Sequence, residues 1–126
     1  MSRYSKSVLL VDDNPADRAL FGRDLSRLGF DVIKTGSADE AMAAIVGGHV
    51  GCLVTDQLMS VSGHELANLA AGVRADLGVI FLSGARAPRK PIPAGTVFVQ
   101  KEDRAGLRNA VLDCMKAWRV DVVSPE

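Results

Sequence analysis

Short runs of four or five mostly apolar residues alternate with segments whose apolar residues recur at helical spacing, and this alternation constrains the chain more than any other feature. Runs apolar throughout suit strands buried on both faces, and strands joined by helical crossovers build a parallel sheet covered on both sides. The strand candidates are Ser7 to Val11, Asp31 to Lys34, Cys52 to Thr55, Val79 to Leu82 and Thr96 to Val99. The expected class is α/β, a doubly wound five-stranded parallel sheet.

The helices between them carry their own punctuation. Asn14 can cap a helix with Pro15 in its first turn, where the missing N–H does no harm. Leu20, Leu25 and Leu28 mark its inner face before Gly29 ends it. Ser37-Ala-Asp-Glu40 reads as a capping box, with Ala38, Ala41, Met42 and Ile45 following at helical spacing. Ser62-Gly-His-Glu65 repeats that signal, with Leu66, Leu69, Ala70 and Val73 on one stripe. Asp103 can cap a last helix carrying Leu107, Val111, Cys114 and Trp118. The fourth crossover differs: between Ala85 and Gly95, Pro88, Pro91 and Pro93 each remove a backbone donor, so a Pro-rich loop or a short helix is expected there.

At 126 residues, with 48% apolar and 24% charged residues, the chain has the size and composition of one ordinary globular domain. Its core is expected over about residues 6–119, followed by a short tail. Fifteen basic residues balance fifteen acidic ones, which leaves no electrostatic footprint for nucleic acid or an anionic membrane. Cys52 and Cys114 lack metal-ligand spacing and read as reduced core thiols. His49 and His64 read as surface residues, and Trp118 as core or an interface edge. The apolar run after the N-terminus is too brief for a secretory signal, and none approaches a membrane span, so a cytoplasmic location is expected.

Ligands of an open parallel sheet bind at the carboxyl ends of its strands. The residues there are Asp12 and Asp13 after the first strand, Asp56 after the third, Ser83 after the fourth and Lys101 after the fifth. Two carboxylates about 4 Å apart repel by about 4 kcal/mol at an effective dielectric of 20, so three together call for a cation or for protons. Oxygen ligands without neighbouring Cys or His suit Mg2+ better than Zn2+. A metal, an ammonium and a hydroxyl around a carboxylate nucleophile suit a phosphoryl group, taken up by Asp as an acyl phosphate.

The run VLLVDDNP, the strand end LVTDQLM with a downstream SGHEL, then IFLSGA and VFVQKED closely resemble, in order and spacing, CheY-like response regulator receiver domains over essentially the whole chain. The resemblance implies a flavodoxin-like sheet with strand order 2-1-3-4-5 and phosphorylation at Asp56. It implies Mg2+ held by Asp13, Asp56 and the backbone carbonyl of Leu58, with Asp12 assisting through water. It also implies Lys101 on the phosphoryl group, Ser83 as the switch hydroxyl and Phe98 at the aromatic switch position. The chain as given would be a single receiver domain over residues 1–126 with no output domain. Such a regulator takes its phosphoryl group from a sensor histidine kinase or a histidine phosphotransfer protein. It acts by protein binding or phosphate shuttling and catalyses only its own phosphorylation and dephosphorylation.

Two departures from the family pattern stand out. Met59 is followed by Ser60 instead of proline, and Gly63 arrives one residue early, so the loop after Asp56 is shortened. Glu102 stands where the family typically has a cis proline after its lysine; a non-proline cis bond costs about 2.5–4 kcal/mol, so trans is the default here. An alternative is a receiver-like interaction module that works without phosphorylation. An aspartyl-phosphate hydrolase of the haloacid dehalogenase kind fits less well, since its two carboxylates stand two apart after the first strand and here they are adjacent. Flavin binding lacks its Ser/Thr-rich phosphate loop.

Overall fold

The computed structural model describes residues 4–56, 63–74, 76–87 and 95–120. In chain order its elements are β1 (Ser7–Val11), α1 (Pro15–Ser26), β2 (Val32–Thr35), α2 (Ala38–Val46), β3 (Val50–Thr55), α3 (Gly63–Val73), β4 (Gly78–Ser83), β5 (Val97–Gln100) and α4 (Arg104–Met115), then a 3-10 turn (Lys116–Trp118). The strands form one parallel sheet in the order β2-β1-β3-β4-β5. The sequence therefore places the strands correctly to within two residues at each end. Among the described residues no helix lies between β4 and β5; most of the Pro-rich segment, residues 88–94, lies outside them.

Alternation along the strands divides the core in two, because successive side chains point to opposite faces of a sheet. Val8 and Leu10 of β1, Cys52 and Val54 of β3 and Ile80 and Leu82 of β4 pack against Phe21 and Leu25 of α1 and Leu107, Val111 and Met115 of α4. Leu9, Val11 and Leu53 face the other way, onto Ala41 and Ile45 of α2 and Leu66 and Ala70 of α3. Both faces are covered, which is why the strands read as continuous apolar runs.

Several local expectations are refined by this packing. Asn14 caps α1, its side chain accepting from Ala16 N and Asp17 N, but Phe21 joins Leu25 as a main anchor while Leu20 and Leu28 are only half-buried. Ser37 accepts from Glu40 N, yet Glu40 does not close a reciprocal box. Its carboxylate accepts a hydrogen bond from the Thr35 hydroxyl at 2.6 Å, and Thr35 Oγ1 accepts from Ser37 N instead. In α3 the buried stripe is Leu66, Ala67 and Ala70, whereas Leu69 and Val73 face solvent. Ser62 lies outside the described residues. Asp103 caps α4 through Gly106 N, and Met115 occupies the deep position while Cys114 is half-buried. His49 is exposed as expected; the His64 side chain lies outside the described residues.

The edge of the sheet away from the strand carboxyl ends is closed by the two ends of the described chain. Ser5 N donates to Trp118 O at 2.8 Å, and Tyr4 pairs with Arg119 while its ring packs on Phe30 at 4.6 Å between centroids. Trp118 Nε1 donates to Gly51 O at 3.3 Å, and Lys6 Nζ lies 4.9 Å from the centre of the indole ring. The ring lies so close over β3 that a Cβ at Gly51 would come within 2.5 Å of Trp118 Cδ1. Gly51→Ala should therefore expel the indole and destabilise the fold by about 1–3 kcal/mol, the usual cost of forced overpacking. Urea unfolding followed by the fluorescence of Trp118, the only tryptophan, measures this; an unchanged midpoint would show that the contact is slack.

Candidate functional site

Ladder hydrogen bonds carry the carboxyl ends of β1 and β3 one residue further than the strands themselves. Asp12 N donates to Thr35 O and Asp56 N donates to Val11 O, each at 3.0 Å, which sets Asp12 and Asp56 side by side. On the far side Lys101 N donates to Ser83 O at 2.8 Å, continuing the β4–β5 register. The sheet order thus brings together residues that the chain separates by up to 89 positions (101 − 12).

Carboxylate oxygens of Asp12, Asp13 and Asp56 all lie within 4.8 Å of one another. Asp12 and Asp56 are buried and Asp13 is exposed. Asp12 is fixed at both ends: its Oδ1 accepts from Asn14 N at 2.9 Å, and its backbone carbonyl accepts from the Arg18 guanidinium at 2.7 Å. That guanidinium lies over Gly36, where a Cβ would come within 2.7 Å of it, so a glycine after β2 lets Arg18 reach the site.

The Lys101 ammonium sits among the acids. Its Nζ lies 2.9 Å from Asp12 Oδ2, 3.1 Å from Asp56 Oδ2 and 2.7 Å from Asp17 Oδ2. The Lys101–Glu102 peptide is trans, as the missing proline predicts, and the side chain still reaches Asp56. Asp17 was not among the residues singled out from the sequence. It occupies the first turn of α1, one helical turn beyond the adjacent acids in DDNPAD, and that spacing was the available signal; its partner lies 84 residues away.

The remaining expected residues occupy the same rim or lie beyond the described chain. Ser83 is fully buried at the end of β4, and its Oγ accepts from Ala85 N at 3.1 Å. Phe98 is half-buried on β5, in register with the buried Phe81. The expected carbonyl ligand Leu58 and the shortened loop lie outside the described residues.

Burial pushes the Asp12 carboxyl above its ordinary pKa of 3.8; the Asn14 hydrogen bond and Lys101 only partly offset this. For Lys101 burial works against the ammonium, but contacts with Asp17, Asp12 and Asp56 prevail and raise its pKa, so it stays charged throughout the physiological range. Asp12 Oδ2 is buried and faces Lys101 as an ion pair without hydrogen-bond alignment. A hard divalent cation fits this donor set: clustered carboxylate oxygens, one of them short of a hydrogen bond.

No protein-family model matches the chain. It is 38% identical over 61 residues to the sensor protein EvgS of Escherichia coli O157:H7, a match covering 48% of this chain and 5% of that protein's length. Its structure resembles a response regulator receiver protein from Sinorhizobium medicae WSM419, with TM-score 0.79 and 23% identity over 90% of this chain and 96% of the other. It also resembles the response regulator TrrA from Thermotoga maritima, solved in complex with Mg2+ and beryllofluoride, with TM-score 0.78 and 24% identity over 86% and 98% of the two chains.

Because Asp12 titrates above 3.8 in the folded chain, its ionised form opposes folding: its contribution is most favourable below pH 3.8 and is lost as pH rises through the raised value. Asp12→Asn keeps the acceptor for Asn14 N and removes the charge. Without divalent cations at neutral pH this variant should melt a few degrees above the wild type, with the gap closing as pH falls toward 3.8. Melting curves across that range check this, and a variant less stable at neutral pH would contradict it.

Proposed function

We propose that this chain, which has the fold of CheY-like response regulator receiver domains, acts as a response regulator receiver phosphorylated on Asp56. The phosphoryl group would come from a phosphohistidine on a sensor kinase or histidine phosphotransfer protein. The observation that carries the reading is the meeting of Asp12, Asp13 and Asp56 with the Lys101 ammonium on one rim.

In the transfer, an Asp56 carboxylate oxygen attacks phosphorus, the P–N bond to the imidazole breaks, and the imidazole leaves with the electron pair. Lys101, already 3.1 Å from Asp56 Oδ2, is placed to hold a phosphoryl oxygen as charge develops. Asp12 and Asp13, with Asp56, would hold Mg2+, which when bound lowers the repulsion between the carboxylates and the incoming anion. Attack of water on the same phosphorus would break its bond to the Asp56 oxygen, releasing inorganic phosphate and the free carboxylate. The chemistry is thus confined to the protein's own phosphorylation and dephosphorylation.

Ser83 supplies the link to output. Its hydroxyl now accepts from the Ala85 N–H, so a turn of the side chain toward a phosphoryl group on Asp56 would pull on the start of the β4–β5 connection. Phe98 on the neighbouring strand would follow by repacking. The altered surface then binds another protein or passes the phosphoryl group on. No helix among the described residues is long and apolar enough to cross a membrane, and we place the protein's action in the cytoplasm.

Incubation with acetyl phosphate and Mg2+ should add one phosphoryl mass to Asp56, read by mass spectrometry after peptide mapping. Asp56→Asn should abolish it, because an amide is a far poorer nucleophile. Lys101→Ala should leave some phosphorylation but weaken the change in backbone amide chemical shifts around Ser83. An unmodified wild-type protein would instead favour an interaction module working without phosphorylation, and full labelling of Asp56→Asn would mean another nucleophile.

A further inference from the structure

Three carboxylates surround Lys101: Asp17 and Asp56 accept hydrogen bonds from its Nζ and Asp12 Oδ2 faces it as an ion pair, so the ammonium's charge is already shared among them. A phosphoryl group on Asp56 would compete with these carboxylates for the ammonium. Asp12 and Asp56 have side chains only 1% and 9% exposed, held in the floor of the site, whereas the Asp17 side chain is 33% exposed on the first turn of α1. Asp17 is the carboxylate that can turn away, since water can solvate it and the helix N-terminus favours its charge there. It also makes the shortest of the three contacts, at 2.7 Å.

We propose that Asp17 is an internal competitor for the ammonium that the phosphoryl group needs, and that it lowers the affinity of the site for that group. The inference rests on the functional reading above and adds a residue to it. Asp17 acts through Lys101, as a positioning residue: it keeps Nζ beside Asp56 in the unphosphorylated protein and neutralises part of its charge until an anion with more oxygens displaces it. Its own negative charge has opposite consequences for the two ions that enter the site, helping to attract a cation and helping to repel an anion.

Those opposite signs make the test selective. Asp17→Asn retains an oxygen that can accept from Lys101 and loses only the charge, and Asp17→Glu retains the charge. Calorimetric titration with Mg2+ alone, and with beryllofluoride in saturating Mg2+, measures both affinities on the whole chain. For Asp17→Asn the expected result is about three- to tenfold weaker Mg2+ binding together with about three- to tenfold tighter beryllofluoride binding, the size expected of one partly screened charge several ångströms away. Asp17→Glu should stay within about twofold of wild type for both. A merely structural role would weaken both affinities in Asp17→Asn, and that result, or an unchanged beryllofluoride affinity while Asp56 is still phosphorylated, would overturn the competitor. If the wild-type protein neither binds beryllofluoride nor accepts a phosphoryl group, the functional reading fails and this inference with it.

Discussion

An ammonium enclosed by carboxylates at the end of a buried sheet is the interaction on which the rest of the site depends. Without Lys101, Asp12 and Asp56 would be two buried like charges on adjacent strands, and at least one would have to take up a proton or a cation. Even with the Arg18 guanidinium on the Asp12 carbonyl, the positive charges are outnumbered by Asp12, Asp13, Asp17 and Asp56. The surplus of negative charge disfavours full ionisation of the cluster and would be relieved by a divalent cation or by protons.

The remainder of the molecule holds that cluster in place. Asp12 and Asp56 extend the two central strands, whose side chains are packed on both faces, so neither carboxylate can move apart to relieve the repulsion. Asn14 and Arg18 secure the backbone and one oxygen of Asp12. At the opposite edge Trp118, Lys6 and Tyr4 close the sheet against the chain ends.

Much of this was legible in the sequence, for a local reason. Strands buried on both faces appear as unbroken apolar runs, and caps such as Asn14, Ser37 and Asp103 act on amides two or three residues away, so both signals sit within one short window. Resemblance to receiver domains, and not periodicity, supplied the strand order and the roles expected of Asp12, Asp13, Asp56, Ser83 and Lys101. Where a side chain had a choice of partners, the local reading failed: Glu40 prefers the Thr35 hydroxyl to its own helix end, and Leu69 and Val73 yield the sheet to Leu66, Ala67 and Ala70.

The sequence by itself determined which segments become strands and helices, and that acids, a hydroxyl and a lysine fall at strand ends. Only the tertiary structure decided that Lys101 lies between Asp12, Asp17 and Asp56, and that Phe21 rather than Leu20 anchors α1. The physical reason is range. Periodicity and capping are set by neighbours along the chain, whereas the contacts of a charged side chain are set by which strands lie side by side and by how much water their packing excludes.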